Sequence, residues 1–150
     1  MVVDFVLKAS PRYRVACLSR QGPWKPDNLR AEFRQLVAWA AKGRIRTGHW
    51  IFVSGPSDRW TACLEVFGTA PRHGGIRMRT LPKATVASVT FDPEAISARV
   101  IYHGLRDWLH WRKVEKKIRS VASSREVYTG DPWKDPKAWA HCEVQFVVRK

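Results

Sequence analysis

One carboxylate in this chain stands in aromatic company. Glu126 lies in Arg125-Glu126-Val127-Tyr128-Thr129-Gly130-Asp131-Pro132, and the earlier segment Trp50-Ile51-Phe52-Val53-Ser54-Gly55-Pro56 matches it at an offset of 76 residues, from 50 to 126. Successive side chains of a strand point to opposite faces, so alternation groups Trp50 and Phe52 with Glu126 and Tyr128, and Ile51 and Val53 with Val127 and Thr129. The second set is expected to face the helices. If the two segments are related by a pseudo-twofold, the first set converges on a groove, and a single carboxylate stands there among rings. Taking a carboxylate out of water is costly unless it is protonated or paired, so this arrangement suits a cationic or hydrogen-bonding ligand. A competing reading pairs Glu126 with Arg125 or another surface arginine. Trp39 and Trp111, near the ends of two helical stretches, are candidates for the edges of the groove and equally for the core.

Other chemistries find less support. His49, His73, His103, His110 and His141 show neither His-x-x-x-His spacing nor a carboxylate at ligand distance in sequence, so no metal is expected. Ser54-Gly55 is in no Gly-x-Ser-x-Gly elbow, and Gly74-Gly75 precedes a strand rather than a helix, which argues against serine hydrolysis and phosphate-cradling loops. No cofactor is expected. Cys17, Cys63 and Cys142 are scattered without Cys-x-x-Cys pairs and read as reduced core or strand residues. The run Arg112-Lys113-Val114-Glu115-Lys116-Lys117, close to Trp108 and Trp111, keeps nucleic-acid binding open as an alternative through Arg112, Lys113, Lys116 and Lys117. Cations at a helix C-terminus also complement its dipole, which gives the run a structural reason.

The elements that must position these residues come from a chain of 150 residues, 45% hydrophobic and 27% charged, which suits one folded domain. Its 27 basic against 13 acidic residues give a formal charge of +14, enough to attract polyanions or an acidic partner. The longest apolar run, Leu36 to Ala41, has six residues against the roughly 20 needed to span a bilayer. The first residues lack the order of a secretory signal, so the expected location is the cytoplasm, without a membrane.

A faint internal repeat organises the chain. Leu7-Lys-Ala-Ser-Pro11-Arg-Tyr-Arg-Val15-Ala16 aligns with Met78-Arg-Thr-Leu-Pro82-Lys-Ala-Thr-Val86-Ala87, and Phe33-x-x-Leu36-Val37-x-Trp39 aligns with Leu105-x-x-Trp108-Leu109-x-Trp111. Together with the Trp50 and Glu126 segments and the closing strands Cys63 to Phe67 and Cys142 to Val148, they give strand-strand-helix-strand-strand twice. The pseudo-repeats cover about 3–67 and 75–148 of a single domain, with the seam at Gly68 to Gly75 around Pro71. Asp27 is expected to cap the first helix, with Gly43 in the left-handed position after it; Asp92 is expected to cap the second, with Pro93 as its first residue. The buried stripes read as Leu29, Phe33, Leu36, Val37 and Ala40, and as Ile96, Val100, Leu105, Trp108 and Leu109, with Gly104 weakening the second helix. The fold class is α+β, a curved antiparallel sheet with two helices on one face.

This layout, the Pro11-Arg-Tyr-Arg-Val-Ala opening and the Glu126-x-Tyr128-x-x-Asp131-Pro132 segment followed by Cys142-Glu-Val-Gln-Phe-Val-Val resemble the GyrI-like small-molecule-binding superfamily, over nearly the whole chain. That superfamily includes a DNA gyrase inhibitory protein and the effector-binding domains of AraC-type and MerR-type multidrug regulators. The resemblance implies a stand-alone sensor or sequestering protein whose cleft takes a flat, lipophilic, often cationic small molecule. Glu126 would be its buried acid, Trp50, Phe52 and Tyr128 its walls, and Trp39 and Trp111 its edges. It also implies a transcription regulator or gyrase as partner. In an alternative that it equally implies, Glu126 is the general base of a hydrolase of cyclopropane-bearing toxins.

Overall fold

The computed structural model describes residues 3–55, 58–69 and 73–150. Pro56 and Pro71, which the repeat and its seam invoke, lie outside the described residues. The elements in chain order are β1 (Val6–Ser10), β2 (Tyr13–Gln21), α1 (Pro26–Lys42), β3 (Arg46–Ser54), β4 (Arg59–Phe67), β5 (Arg77–Leu81), β6 (Ala84–Phe91), α2 (Ala98–Arg112), β7 (Ser120–Tyr128), α3 (Pro136–Ala140) and β8 (Cys142–Arg149). Each half runs strand, strand, helix, strand, strand, as the repeat predicts. The short α3 is an addition, started by Asp135, whose carboxylate accepts the Lys137 N–H at 2.9 Å, and by Pro136, whose missing N–H costs nothing there.

All eight strands join one antiparallel sheet in the order β1-β6-β8-β7-β3-β4-β2-β5, curled into a half-barrel. The order is symmetric about the central β3–β7 pair, where Phe52 faces Glu126 and Trp50 faces Tyr128. The Pro11 and Pro82 turns do not make hairpins. β1 leaves its own half to pair with β6, and β5 leaves its half to pair with β2.

The alternation holds, but the face is the opposite of the one expected. Trp50, Phe52 and Tyr128 pack in one cluster with Leu29, Phe33 and Leu36 of α1 and Ile101, Leu105 and Leu109 of α2. Ile51, Val53 and Val127 belong to a second cluster with Tyr13, Val15, Cys17, Cys63 and Leu81 on the helix-free face. Curling buries that face without a helix, so both registers of each central strand read as apolar. The three cysteines are free and buried.

The helix ends differ in detail. Pro26 takes the first helical position of α1 after Lys25, so Asp27 sits inside the first turn, where its charge meets the helix dipole instead of capping. Gly43 keeps φ −85°, and Arg44 takes the left-handed conformation at φ 54°. Asp92 does cap, accepting the Glu94 N–H at 2.9 Å, but it closes only one turn. Ser97 is extended there (φ −60°, ψ 135°), and α2 starts after it. The stripes lose Val37 and Val100 to solvent and gain Trp39 and Ile101. Gly104 has a positive role: a Cβ there would stand 2.9 Å from the Phe5 ring, which packs against α2 and lies 6.2 Å from the Trp108 ring.

Candidate functional site

Between the helices, on the sheet face they cover, lies a cavity of about 200 Å³. Glu126 and Tyr128 come to it from the end of β7, Leu29 and Phe33 from α1, and Trp24 from the loop before α1. Phe91, Pro93 and Ala98 line the α2 side, the chain between β7 and β8 supplies Trp133 and Trp139, and Cys142 comes from the start of β8. The lining is apolar apart from a few groups, the usual make-up of a small-molecule site, and the volume lies below the ~300–1,000 Å³ of drug-sized pockets. It suits one fused ring system. Trp24, 50% exposed, stands at the rim.

Glu126 is half-buried, and each of its oxygens accepts one phenolic O–H: Oε1 from Tyr102 at 2.9 Å and Oε2 from Tyr128 at 2.8 Å. An ionised carboxylate has about four acceptor sites, so roughly two are left. Among the described residues no lysine, arginine or histidine forms an ion pair with Glu126, in a chain that carries +14. Burial, and then the negative charge of Glu126, raise both phenols above the ordinary tyrosine range, so the two hydroxyls stay protonated donors. The same two causes push the Cys142 thiol up to about 12, which makes it a wall atom and not a nucleophile at neutral pH.

Arg125, the alternative partner, points the other way. Its side chain is buried on the helix-free face, donating to Gln145 Oε1 at 2.6 Å and to Ser10 Oγ at 2.8 Å. Strand alternation alone keeps it from its neighbour's carboxylate.

The aromatic residues named from sequence take different places. Tyr128 lines the cavity and bonds Glu126. Trp50 and Phe52 are buried one layer back: Trp50 stacks on Phe33 (4.8 Å between centroids, 17° between planes), and Phe52 backs Trp24 at 5.4 Å. Trp39 is a core residue whose buried indole N–H has no hydrogen-bond partner among the described residues. Trp111 is 77% exposed and touches the His110 ring. Of the basic set, Arg112 lies over the Trp108 ring at 4.7 Å and Lys116 is 3.9 Å from Glu115, while Lys113 and Lys117 follow α2 in a turn. None of the four lines the cavity.

The residues that sequence reasoning missed are Tyr102, Trp24, Trp133 and Trp139. Asp131 turns the chain by accepting the Trp133 N–H at 2.9 Å, which sets Trp133 at 6.2 Å from both Phe33 and Trp50. Trp139 lies parallel to Tyr128 (6.4 Å, 7°) and donates its indole N–H to Glu94 at 2.9 Å, tying α3 to the turn before α2 across the rim. The Asp131-Pro132-Trp133 and Asp135-Pro136 pairs were the available signal, two turn or helix starts in succession after the glutamate strand.

No protein-family model matches the chain, and no curated protein matches its sequence. Solved structures do match. The C-terminal domain of EcmrR superposes with a TM-score of 0.75 at 17% identity, over 100% of this chain and 99% of that one. A structure described as a hydrolase from Listeria innocua gives 0.61 at 11% identity, over 97% and 91%. SAV2435, solved bound to tetraphenylphosphonium, gives 0.53 at 7% identity, over 97% and 94%. At these identities the likeness is one of fold, and it agrees along the whole chain with the resemblance carried by the Glu126 segment: the chain has the GyrI-like fold.

Proposed function

We propose that this protein binds a lipophilic, aromatic, cationic small molecule in the cleft between α1 and α2, as a sensor or sequestering protein. The observation that carries it is Glu126: a half-buried carboxylate held by two tyrosine hydroxyls, facing an aromatic cavity, with no cation paired to it among the described residues. A cation seated there would recover the charge pairing that the fold leaves out, while Trp24, Trp133 and Trp139 offer ring faces to a planar body. The fold's occurrence in a protein solved with tetraphenylphosphonium supports a ligand of this kind.

The test is a tryptophan-fluorescence titration with planar lipophilic cations and neutral analogues of the same shape, since three of the eight tryptophans line the cavity. Saturable quenching by the cations, stronger than by the neutral analogues, is the expected result. No saturable quenching by any of them, with the protein folded, overturns the reading. The free lone pairs of Glu126 could also take a proton from water, so mass spectrometry of the recovered ligand separates binder from hydrolase: a binder returns it unchanged.

A further inference from the structure

The helix-free face of the sheet carries a second concavity, of about 580 Å³, with a different chemistry. Arg59 of β4 and Arg77 and Arg79 of β5 surround it, and Ser19, Thr61 and Cys17 form its floor. Alternation explains the grouping: Arg77 stands opposite Cys17, Arg79 opposite Val15, and Thr61 opposite Ser19, all on one face. The Ser19 and Thr61 hydroxyls are 2.9 Å apart. None of the three arginines forms an ion pair among the described residues.

The opposite edge of the sheet supplies an internal comparison. There β1 flanks β6 as β5 flanks β2, so Lys8, opposite Val86, corresponds to Arg79, opposite Val15. Lys8 is neutralised: its ammonium is 2.9 Å from Glu143, which also accepts from Ser88 at 2.8 Å and Gln145 at 2.6 Å. The same place in the fold is therefore charge-balanced on one side and left with uncompensated guanidinium groups on the other. Arg59, Arg77 and Arg79 are exposed, and like charges gathered round one concavity repel unless an anion joins them. Planar guanidinium forks match phosphate oxygens in pairs, and the floor hydroxyls add donors.

We infer that this concavity is a second ligand site, for a small molecule bearing two or more phosphate-type groups, gripped by Arg59, Arg77 and Arg79. Its size lies within the ~300–1,000 Å³ of small-molecule sites. The site stands apart from the Glu126 cleft, across the thickness of the sheet, and does not depend on the function proposed for that cleft.

Calorimetric titration of the full chain with inorganic tripolyphosphate at 0.15 M salt tests it. Saturable one-to-one binding is expected, at least tenfold weaker in Arg77→Ser/Arg79→Ser and separately in Arg59→Ser. Lys116→Ser/Lys117→Ser, which removes as much charge as the β5 pair, should retain the wild-type affinity within about twofold. Thermal unfolding checks that each variant is folded, and Arg59→Ser on β4 keeps the test alive if the β5 variant is not. Absence of binding overturns the inference. So does an equal loss in the lysine variant, which would show attraction by net charge alone. Preference for a short DNA duplex over tripolyphosphate, with steep salt dependence, would assign the arginines to a nucleic-acid surface and overturn it too.

Discussion

Replacing Glu126 with glutamine separates charge from shape in the cleft. The amide has nearly the volume of the carboxylate and keeps both tyrosines engaged, since its oxygen accepts one O–H and its NH2 donates to the other hydroxyl once that rotates. The change therefore removes a charge without opening a cavity. A cation about 4 Å from the carboxylate gains roughly 4 kcal/mol in a partly buried site of effective dielectric ~20, and dehydration of both ions takes part of it back. Hydrogen bonds to charged groups retain about 1.5–3 kcal/mol net. The expected loss in affinity is thus about 10- to 100-fold for a planar monocation and less than about threefold for its neutral isostere. Fluorescence titration of one cation and one isostere on wild type and variant gives the four constants needed. Equal losses for the two ligands, or a loss under threefold for the cation, would show that Glu126 does not act through its charge.

Five further outcomes follow. Trp133→Ala should weaken cation and neutral isostere alike, by about two- to tenfold from a lost ring contact of ~0.5–1.5 kcal/mol, leaving their ratio unchanged in the same titration. The pKa values of all three tyrosines are raised, by burial first, so the folded protein should show less phenolate absorbance at pH 10 than the unfolded chain, in which tyrosine is about half ionised. The unfolded chain releases those protons first, so stability is full below about pH 10 and falls as the pH rises above it, which urea unfolding at pH 8, 10 and 11 would show. Gly48→Ala places a Cβ against the Glu65 carboxylate, which accepts from the His49 N–H at 3.1 Å and from His49 Nδ1 at 2.7 Å; displacing it should cost about 1–3 kcal/mol in urea unfolding. Leu105→Ala, at a fully buried position on α2, should cost about 2–5 kcal/mol by the same measurement, and a loss below about 1 kcal/mol would contradict the packing described.

Much of this architecture was legible because periodicity is a local property. Alternation put Trp50, Phe52, Glu126 and Tyr128 together correctly, and the repeat gave the element order of both halves. The face was not legible. Ile51 and Val127 are as buried as Trp50 and Phe52, so hydrophobicity could not say on which side the helices lie. The cleft's own residues were harder still: Trp24, Trp133 and Trp139 come from loops and a single helical turn, where no period exists to be read. Tyr102 was hidden for another reason. It sits on α2 beside Ile101, off the stripe read from Ile96 and Val100, and the extended Ser97 shifts the helix start, and with it the face, by several residues. The sequence singles out Glu126, and other elements bring the remaining lining residues to the same cavity.

The crossed edges of the sheet bear on how the cleft can move. β1 and β2 lie far apart in the hydrogen-bonded order, yet only Pro11 and Arg12 join them, and only Pro82 and Lys83 join β5 to β6. Three peptide steps reach at most about 11 Å, so these links hold the two edges of the half-barrel near each other through covalent backbone. The sheet is thus a hoop: hydrogen bonds run around most of it, and two short straps close the gap. Spreading the halves at the central β3–β7 pair would put both straps in tension, so the floor beneath Glu126 behaves as a fixed frame. On the proposed binding function, adjustment to ligands of different outline would fall to the rim, where Trp24, the Asp131 turn and the Trp139–Glu94 tie lie outside the hoop.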